Sequence, residues 1–257
     1  MAAPRSLGFG ITGGARPWLG ELASALAGFG YDGAWANDTP GHSGIEALAG
    51  LSGASMLDLG IGVVSLANHP PASVAASVRT SGVPPARLIL GVGSGGSSSL
   101  TLMREGVAAL RGELPGVRLA VAALGPRMSE LAGEVADVVL LNWATPPRIA
   151  WARERIAAGA SRGERHMPVV AAYVRVAVGE GAGARLATER DRYARIPSYA
   201  RMFEAAGGAA GIAFEKATDL AEALGPYREA LDVCVVRGLP QRDSLEEWLA
   251  IAEPAVG

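Results

Sequence analysis

The chain has 257 residues, 49% of them hydrophobic, enough to bury a large core unaided; its one cysteine, Cys234, excludes a disulfide framework and a cysteine-based zinc site. A net charge of −2 leaves no surplus of basic residues to displace counterions from nucleic acid, and aromatics at 5% offer few platforms for stacked bases. Apolar runs such as Val135 to Trp143, broken by Asp137, fall well short of the ~20 residues that span a bilayer, and the first residues hold no signal-like apolar run, so a cytoplasmic protein is expected.

Taken in order, apolar runs closed by Gly, Asn, Asp or Pro recur along the chain. They are Leu7 to Ile11, Tyr31 to Asn37, Leu57 to Ser65, Arg87 to Val92, Val117 to Leu124, Ala136 to Asn142, Pro168 to Val178 and Leu231 to Arg237. Their near-continuous apolar character predicts strands of a parallel sheet buried on both faces. Between them lie patterns that predict helices: Trp18 to Phe29, Gly44 to Ser55, Ala72 to Thr80, Leu100 to Leu110, Arg127 to Val135 and Arg148 to Arg162. A longer stretch, Ala184 to Ala206, is expected to break at Pro197, and Leu220 to Leu231 and Ser244 to Ala252 complete the set. Pro126 and Pro147 sit where helices start, and Ser244 with Glu247 spells a capping box.

Eight strands alternating with helices is the arithmetic of a single-domain (β/α)8 TIM barrel spanning residues 1–257; an open doubly wound sheet with fewer strands is the alternative. In a barrel, chemistry sits on the loops at the C-terminal ends of the strands. Asp38 closes strand two, as a site acid or as an Asx turn leading into Thr39-Pro40. His69 follows strand three on the same face, as a general base or a loop residue; His42 reads the same way, and His166 falls on the opposite face. Arg175 stands inside apolar strand seven, where a charge needs an anion or a carboxylate partner, and Arg237 at the end of strand eight raises the same question. Gly91-Val92-Gly93-Ser94-Gly95-Gly96 matches G-x-G-x-x-G, but the next strand ends Ala122-Ala123-Leu124 without the ribose-binding acid of a dinucleotide site. It reads instead as a loop that lets a flat cofactor or phosphate approach the backbone. The three histidines form no metal-ligand pattern, no nucleophile elbow or P-loop occurs, and a Schiff base could use only Lys216. Such a site suits an organic cofactor, with the protein supplying shape and hydrogen bonds.

Tyr31-Asp32-Gly33-Ala34-Trp35-Ala36-Asn37-Asp38 resembles the strand-two signature of the bacterial luciferase-like family of flavin and deazaflavin barrels. Leu59 to Val64 with His69-Pro70-Pro71, and Leu90 to Gly95, are similar to its strands three and four. Ala122 to Met128, Glu130 to Asp137, Leu141 to Pro146, Tyr173 to Val176 and Ile196 to Tyr199 resemble its coenzyme F420 branch, which includes methylenetetrahydromethanopterin reductase-like proteins. The resemblance implies hydride transfer between a deazaflavin and a small organic substrate, or FMN-dependent monooxygenation, or a shortened non-catalytic member that binds a cofactor or partner. It places a bulge, often with a non-proline cis peptide, at Gly62-Val63, so that Gly62, Val63, Val64, Gly93, Ser94, Gly95, Gly125, Pro126, Asn142 and Arg175 hold the cofactor. Asp38 and His69 are then the acid–base candidates, and a homodimer is implied. Thr39 stands where the family often has histidine, and only Leu100 to Gly116 joins strands four and five, where most members carry a long insertion.

Overall fold

Three of the strands start from the same local device. Asp32, Asp137 and Asp232 each stand just ahead of a strand, after Tyr31, Ala136 and Leu231. Their Oδ2 atoms accept the backbone N–H of Leu7, Leu119 and Val170 at 2.8, 2.9 and 2.8 Å, pinning the first residues of the neighbouring strand. The structure, a computed structural model, describes residues 6–39 and 41–257.

The strands are β1 (Ser6–Thr12), β2 (Gly33–Asn37), β3 (Asp58–Ser65), β4 (Leu88–Gly93), β5 (Arg118–Ala122), β6 (Val138–Asn142), β7 (Val169–Val178), β8 (Ile212–Phe214) and β9 (Val233–Gly238). All pairings among them are parallel, and β9 joins β7 to β1 while β6 joins β7, which closes an eight-stranded barrel. The expected TIM barrel is therefore the observed fold, and the open sheet is excluded. The strand predicted as eighth is β9. The extra β8 escaped the sequence reading because it is three residues long, follows the glycines at 207, 208 and 211, and pairs only with the end of β7 outside the ring.

The helices are α1 (Leu19–Phe29), α2 (Gly44–Ser52), α3 (Pro71–Thr80), α4 (Leu100–Glu113), α5 (Pro126–Val135), α6 (Pro146–Arg162), α7 (Ala182–Ala194), α8 (Pro197–Ala205), α9 (Leu220–Ala230) and α10 (Leu245–Ala252). Most wrap the barrel through apolar stripes. The break expected at Pro197 separates α7 from α8, and these two bury little, Ala182 on one and Met202 on the other. Ser244 caps α10 by accepting the Glu247 N–H at 3.4 Å. The capping box is only half made, because the Glu247 carboxylate accepts instead from the N–H groups of Gln241 and Arg242 at 2.6 and 2.7 Å.

Inside the barrel, Trp35 and Tyr173 meet edge to face, with centroids 6.1 Å apart. Glycines make the room: a Cβ on Gly60 would lie 2.6 Å from Trp35 Cε2. The N-terminal end of the barrel holds a hollow of about 170 Å3 bordered by Asp32, Asp58, Asp137 and Asp232. Those carboxylates are committed: three clamp strands as above, and Asp58 pairs with Arg118 at 2.7 Å. That end is built for stability, in keeping with the division of labour in this fold.

Candidate cofactor site at the barrel mouth

The C-terminal mouth is shaped by one irregularity. Ile61 pairs with Leu90 and Val64 with Val92, so Gly62 and Val63 together oppose Gly91. This is a β-bulge, and its Gly62–Val63 peptide is cis, where the family resemblance places it. The bulge explains the glycines of β4. A Cβ on Gly91 would press into the Ile61 carbonyl, 3.1 Å from its carbon and closer to its oxygen. A Cβ on Gly93 would lie 3.1 Å from Val63 Cγ2. The first two glycines of the Gly91–Gly96 run thus make room for the neighbouring strand. Gly95 is the true loop glycine; it has φ +60° and sits against the Ser65 hydroxyl.

Beside the bulge the strand ends form a shelf. Val63 and Ala122 are half-buried and flank Gly93, which is itself buried; a Cβ there would lie 3.1 Å from Val63 Cγ2 and 3.7 Å from Ala122 Cβ, and Ser94 is half-buried above. The Ser65 hydroxyl is buried with no hydrogen-bond partner. Gly125 and Pro126 open α5, with Gly125 at the cap and its carbonyl accepting the Ser129 hydroxyl at 3.0 Å.

The facing wall is cationic and aromatic. Arg175 and Arg237 are register partners on β7 and β9, and both are buried, at 1% and 4% exposure. Arg175 donates to Asn142 Oδ1 and, at 3.1 Å, to the Tyr193 hydroxyl; its Nε has no partner. Its guanidinium lies 4.3 Å from the Trp143 ring centroid and 4.9 Å from that of Tyr193. Arg237 Nε donates to Asn37 Oδ1 at 2.7 Å, and its Nη1 to the Gly238 carbonyl. Burial, and then the nearby Arg175 charge, push Arg237 down to about 10, so it stays protonated at neutral pH. Asn142 Nδ2 donates to the Tyr199 hydroxyl at 2.7 Å, and Tyr193 packs on Tyr199 at 4.7 Å. Burial raises the Tyr173 and Tyr199 phenols, the latter to about 12, so both remain neutral; Tyr199 is hydrogen-bonded, whereas the buried Tyr173 hydroxyl has no partner. The α7–α8 hairpin is thereby tied over the mouth by Tyr193 and Tyr199.

The acid–base candidates stand apart from this wall. Asp38 is half-buried, and its Oδ1 accepts the Gly44 N–H at 2.9 Å, joining the end of β2 to the start of α2. Pro40, the proline of the Asx-turn reading, lies outside the described residues. His69 is exposed, and its backbone N–H bonds Ser65 O at 2.9 Å. His166 is exposed ahead of β7, on the far face as expected. Val64 is buried beneath the bulge. The structure brings Gly62, Val63, Gly93, Ser94 and Gly95 together on one side and Asn142 with Arg175 on the other. Sequence reasoning missed Tyr173, Tyr193, Tyr199, Trp143 and Ser65 as site-lining groups. Tyr173 and Arg175 share a face of β7 by alternation, which was the available signal. Among the described residues no cluster of three or more metal-ligating side chains occurs, and no helix is long and apolar enough to cross a membrane.

A closed parallel barrel with a bulge on one side of its C-terminal mouth and a cationic, aromatic wall on the other is a (β/α)8 scaffold. The luciferase-like monooxygenase family model matches residues 101–233, and the chain belongs to that family. It is 30% identical over 175 residues to 5,10-methylenetetrahydromethanopterin reductase of Methanolobus tindarius; the match covers 53% of this chain and about half, 53%, of that protein. The coenzyme F420 dependent tetrahydromethanopterin reductase of Methanopyrus kandleri has a similar structure, with a TM-score of 0.73 at 19% identity over 98% of both chains. So does an F420-dependent secondary alcohol dehydrogenase in complex with an F420-acetone adduct, with a TM-score of 0.73 at 15% identity over 99% of both chains. A riboflavin lyase with modified FMN shares the fold at a TM-score of 0.72 and 12% identity, over 98% of this chain and 90% of that one.

Proposed function

We propose that this chain is an F420-dependent oxidoreductase that moves a hydride between a deazaflavin and a small organic substrate. The observation that carries the reading is the shelf at the bulge. Val63 and Ala122 present partly exposed apolar surface on either side of buried Gly93, which puts no side chain between them, a surface suited to a flat ring. The buried Ser65 hydroxyl beside Gly95 lacks a partner, and a polar ring edge or tail supplies one. These residues fit the group. The F420 chemistry named for two similar structures, and the reductase relative, favour deazaflavin over FMN.

A bound deazaflavin supplies the hydride chemistry, and the chain supplies the rest. Val63, Gly93, Ser94 and Gly95 hold and orient the ring, with Gly125 and Pro126 bordering the tail. Asn142, fixed between Arg175 and Tyr199, offers its amide to the substrate side. The α7–α8 hairpin excludes water over the reacting face. Of the two proton-handling candidates, Asp38 is the half-buried one, and His69 faces solvent.

Fluorescence titrations with F420 and with FMN test the reading. Saturable micromolar binding of F420 without binding of FMN is expected. Saturation by FMN alone transfers the assignment to an FMN-dependent monooxygenase of the luciferase-like family. Binding of neither overturns both.

A further inference from the structure

The two guanidinia of the mouth have no counter-charge. Among the described residues, every salt bridge is made by other arginines; Arg175 and Arg237 make none. Each is held instead by an uncharged amide oxygen, Asn142 for Arg175 and Asn37 for Arg237. An amide fixes a guanidinium in place and leaves its charge intact, whereas an aspartate at either position would cancel it. Glu189 on α7 acts on Arg237 through space, but its carboxylate is bonded to Arg192 at 2.8 Å. Two like charges side by side, nearly free of solvent, are costly unless a partner arrives. One N–H is already waiting, because Arg175 Nε is buried without an acceptor.

Position says which partner. β7 stands four strands from β3 in either direction around the closed ring, directly across the mouth from the shelf. The Tyr173 hydroxyl confirms the span: it lies 2.5 Å from where a Cβ on Gly62 would be. Arg175 is two residues further along β7 and on the same face. The arginines therefore stand across the mouth from the shelf, on the far side of the Tyr173 ring.

We propose that the substrate is an anion whose carboxylate or phosphate is held between Arg175 and Arg237, opposite the cofactor shelf. The forked donors of two guanidinia suit an oxyanion with several acceptor oxygens. Trp143 and Tyr193, stacked on Arg175, form the apolar floor beside it. The proposal rests on the F420 reading only for the side the cofactor takes.

The test uses the intact protein without cofactor. Thermal melts and tryptophan fluorescence are followed in sodium acetate and in inorganic phosphate, at ionic strength matched with sodium chloride. The expected result is a saturable rise in melting temperature beyond that in chloride, with a fluorescence change that disappears in Trp143→Phe while the melting shift stays. Arg175→Met and Arg237→Met should each weaken oxyanion binding at least tenfold, yet melt at or above the wild-type temperature in chloride, because a buried uncompensated charge is gone. Where a methionine variant does not fold, Arg237→Lys keeps the charge, loses the fork and should show the same weakening. No oxyanion effect beyond chloride, or an effect unchanged in the variants, overturns the proposal. F420 is titrated against the same samples. Oxyanion and F420 binding together supports the substrate assignment; mutual exclusion overturns it by placing the arginines on the cofactor's own phosphate. Oxyanion binding without any F420 binding sustains this inference while removing the F420 reading.

Discussion

Gly91→Ala tests the packing at the bulge. The added methyl would stand 3.1 Å from the Ile61 carbonyl carbon, 3.1 Å from Val63 Cγ1, and closer still to the Ile61 oxygen. Ordinary contacts for these pairs are near 3.5–4 Å. The Ile61 carbonyl is backbone, and Val63 Cγ1 belongs to a short branched side chain held in the bulge. Ile61 is locked by pairing with Ala36 on one side and Leu90 on the other, so β3 and β4 must part or the bulge must move. Overpacking of this kind costs ~1–3 kcal/mol, and backbone obstruction puts Gly91→Ala toward the top of that range. For a chain of this length a loss of ~3 kcal/mol lowers the melting temperature by roughly 6–12 °C. Gly96→Ala is the control: nothing lies within 4 Å of its Cβ position, so it should stay within ~0.5 kcal/mol of wild type. Urea unfolding followed by circular dichroism measures both. Equal stability of the two variants would refute the claim that β4 is glycine-rich to receive the bulge.

Other consequences follow from the strand clamps and caps. Asp232→Ala strips the acceptor from the Val170 N–H at 2.8 Å and the partner from Arg153, and should cost ~1–3 kcal/mol in the same urea assay. Asp137 titrates below its ordinary 3.8: burial alone would raise it, but the Leu119 N–H and Arg111 outweigh that. Its contribution to stability is therefore complete above the unfolded carboxylate pKa and is lost as pH falls through the lower folded value. Asp137→Asn should flatten the acid end of a stability–pH profile and leave little change in slope above pH ~5. Ser244→Ala removes the cap of α10 and should cost ~1 kcal/mol by denaturant melt, whereas a loss below ~0.2 would discount the cap.

Much of the barrel could be read from the chain because strands buried on both faces leave uninterrupted apolar runs, and Pro126, Pro147 and Pro197 stand in the first turns of their helices. Asp32, Asp137 and Asp232 were visible as letters, but their bonds cross to a different strand, which local periodicity does not report. The bulge at Gly62–Val63 was reached through family resemblance. The purpose of Gly91 was not, because it depends on how closely two strands approach. The paired arginines were suspicious in sequence as charges inside apolar strands. That their partners are Asn37 and Asn142, rather than acids, emerges only from the closed ring, which brings residues 200 and 33 positions apart into contact. The aromatic cover was hidden for a related reason: Tyr193 and Tyr199 belong to exposed helices, and only their rings turn inward.

The central claim is that a deazaflavin ring lies on the shelf formed by Val63, Gly93 and Ala122. The most direct measurement is the F420 dissociation constant of Ala122→Phe beside that of wild type and of Gly96→Ala, with melting temperatures recorded for all three. The account predicts at least a tenfold loss of F420 affinity in Ala122→Phe at an unchanged fold, and no loss in Gly96→Ala. Undiminished F420 binding by a folded Ala122→Phe would contradict it.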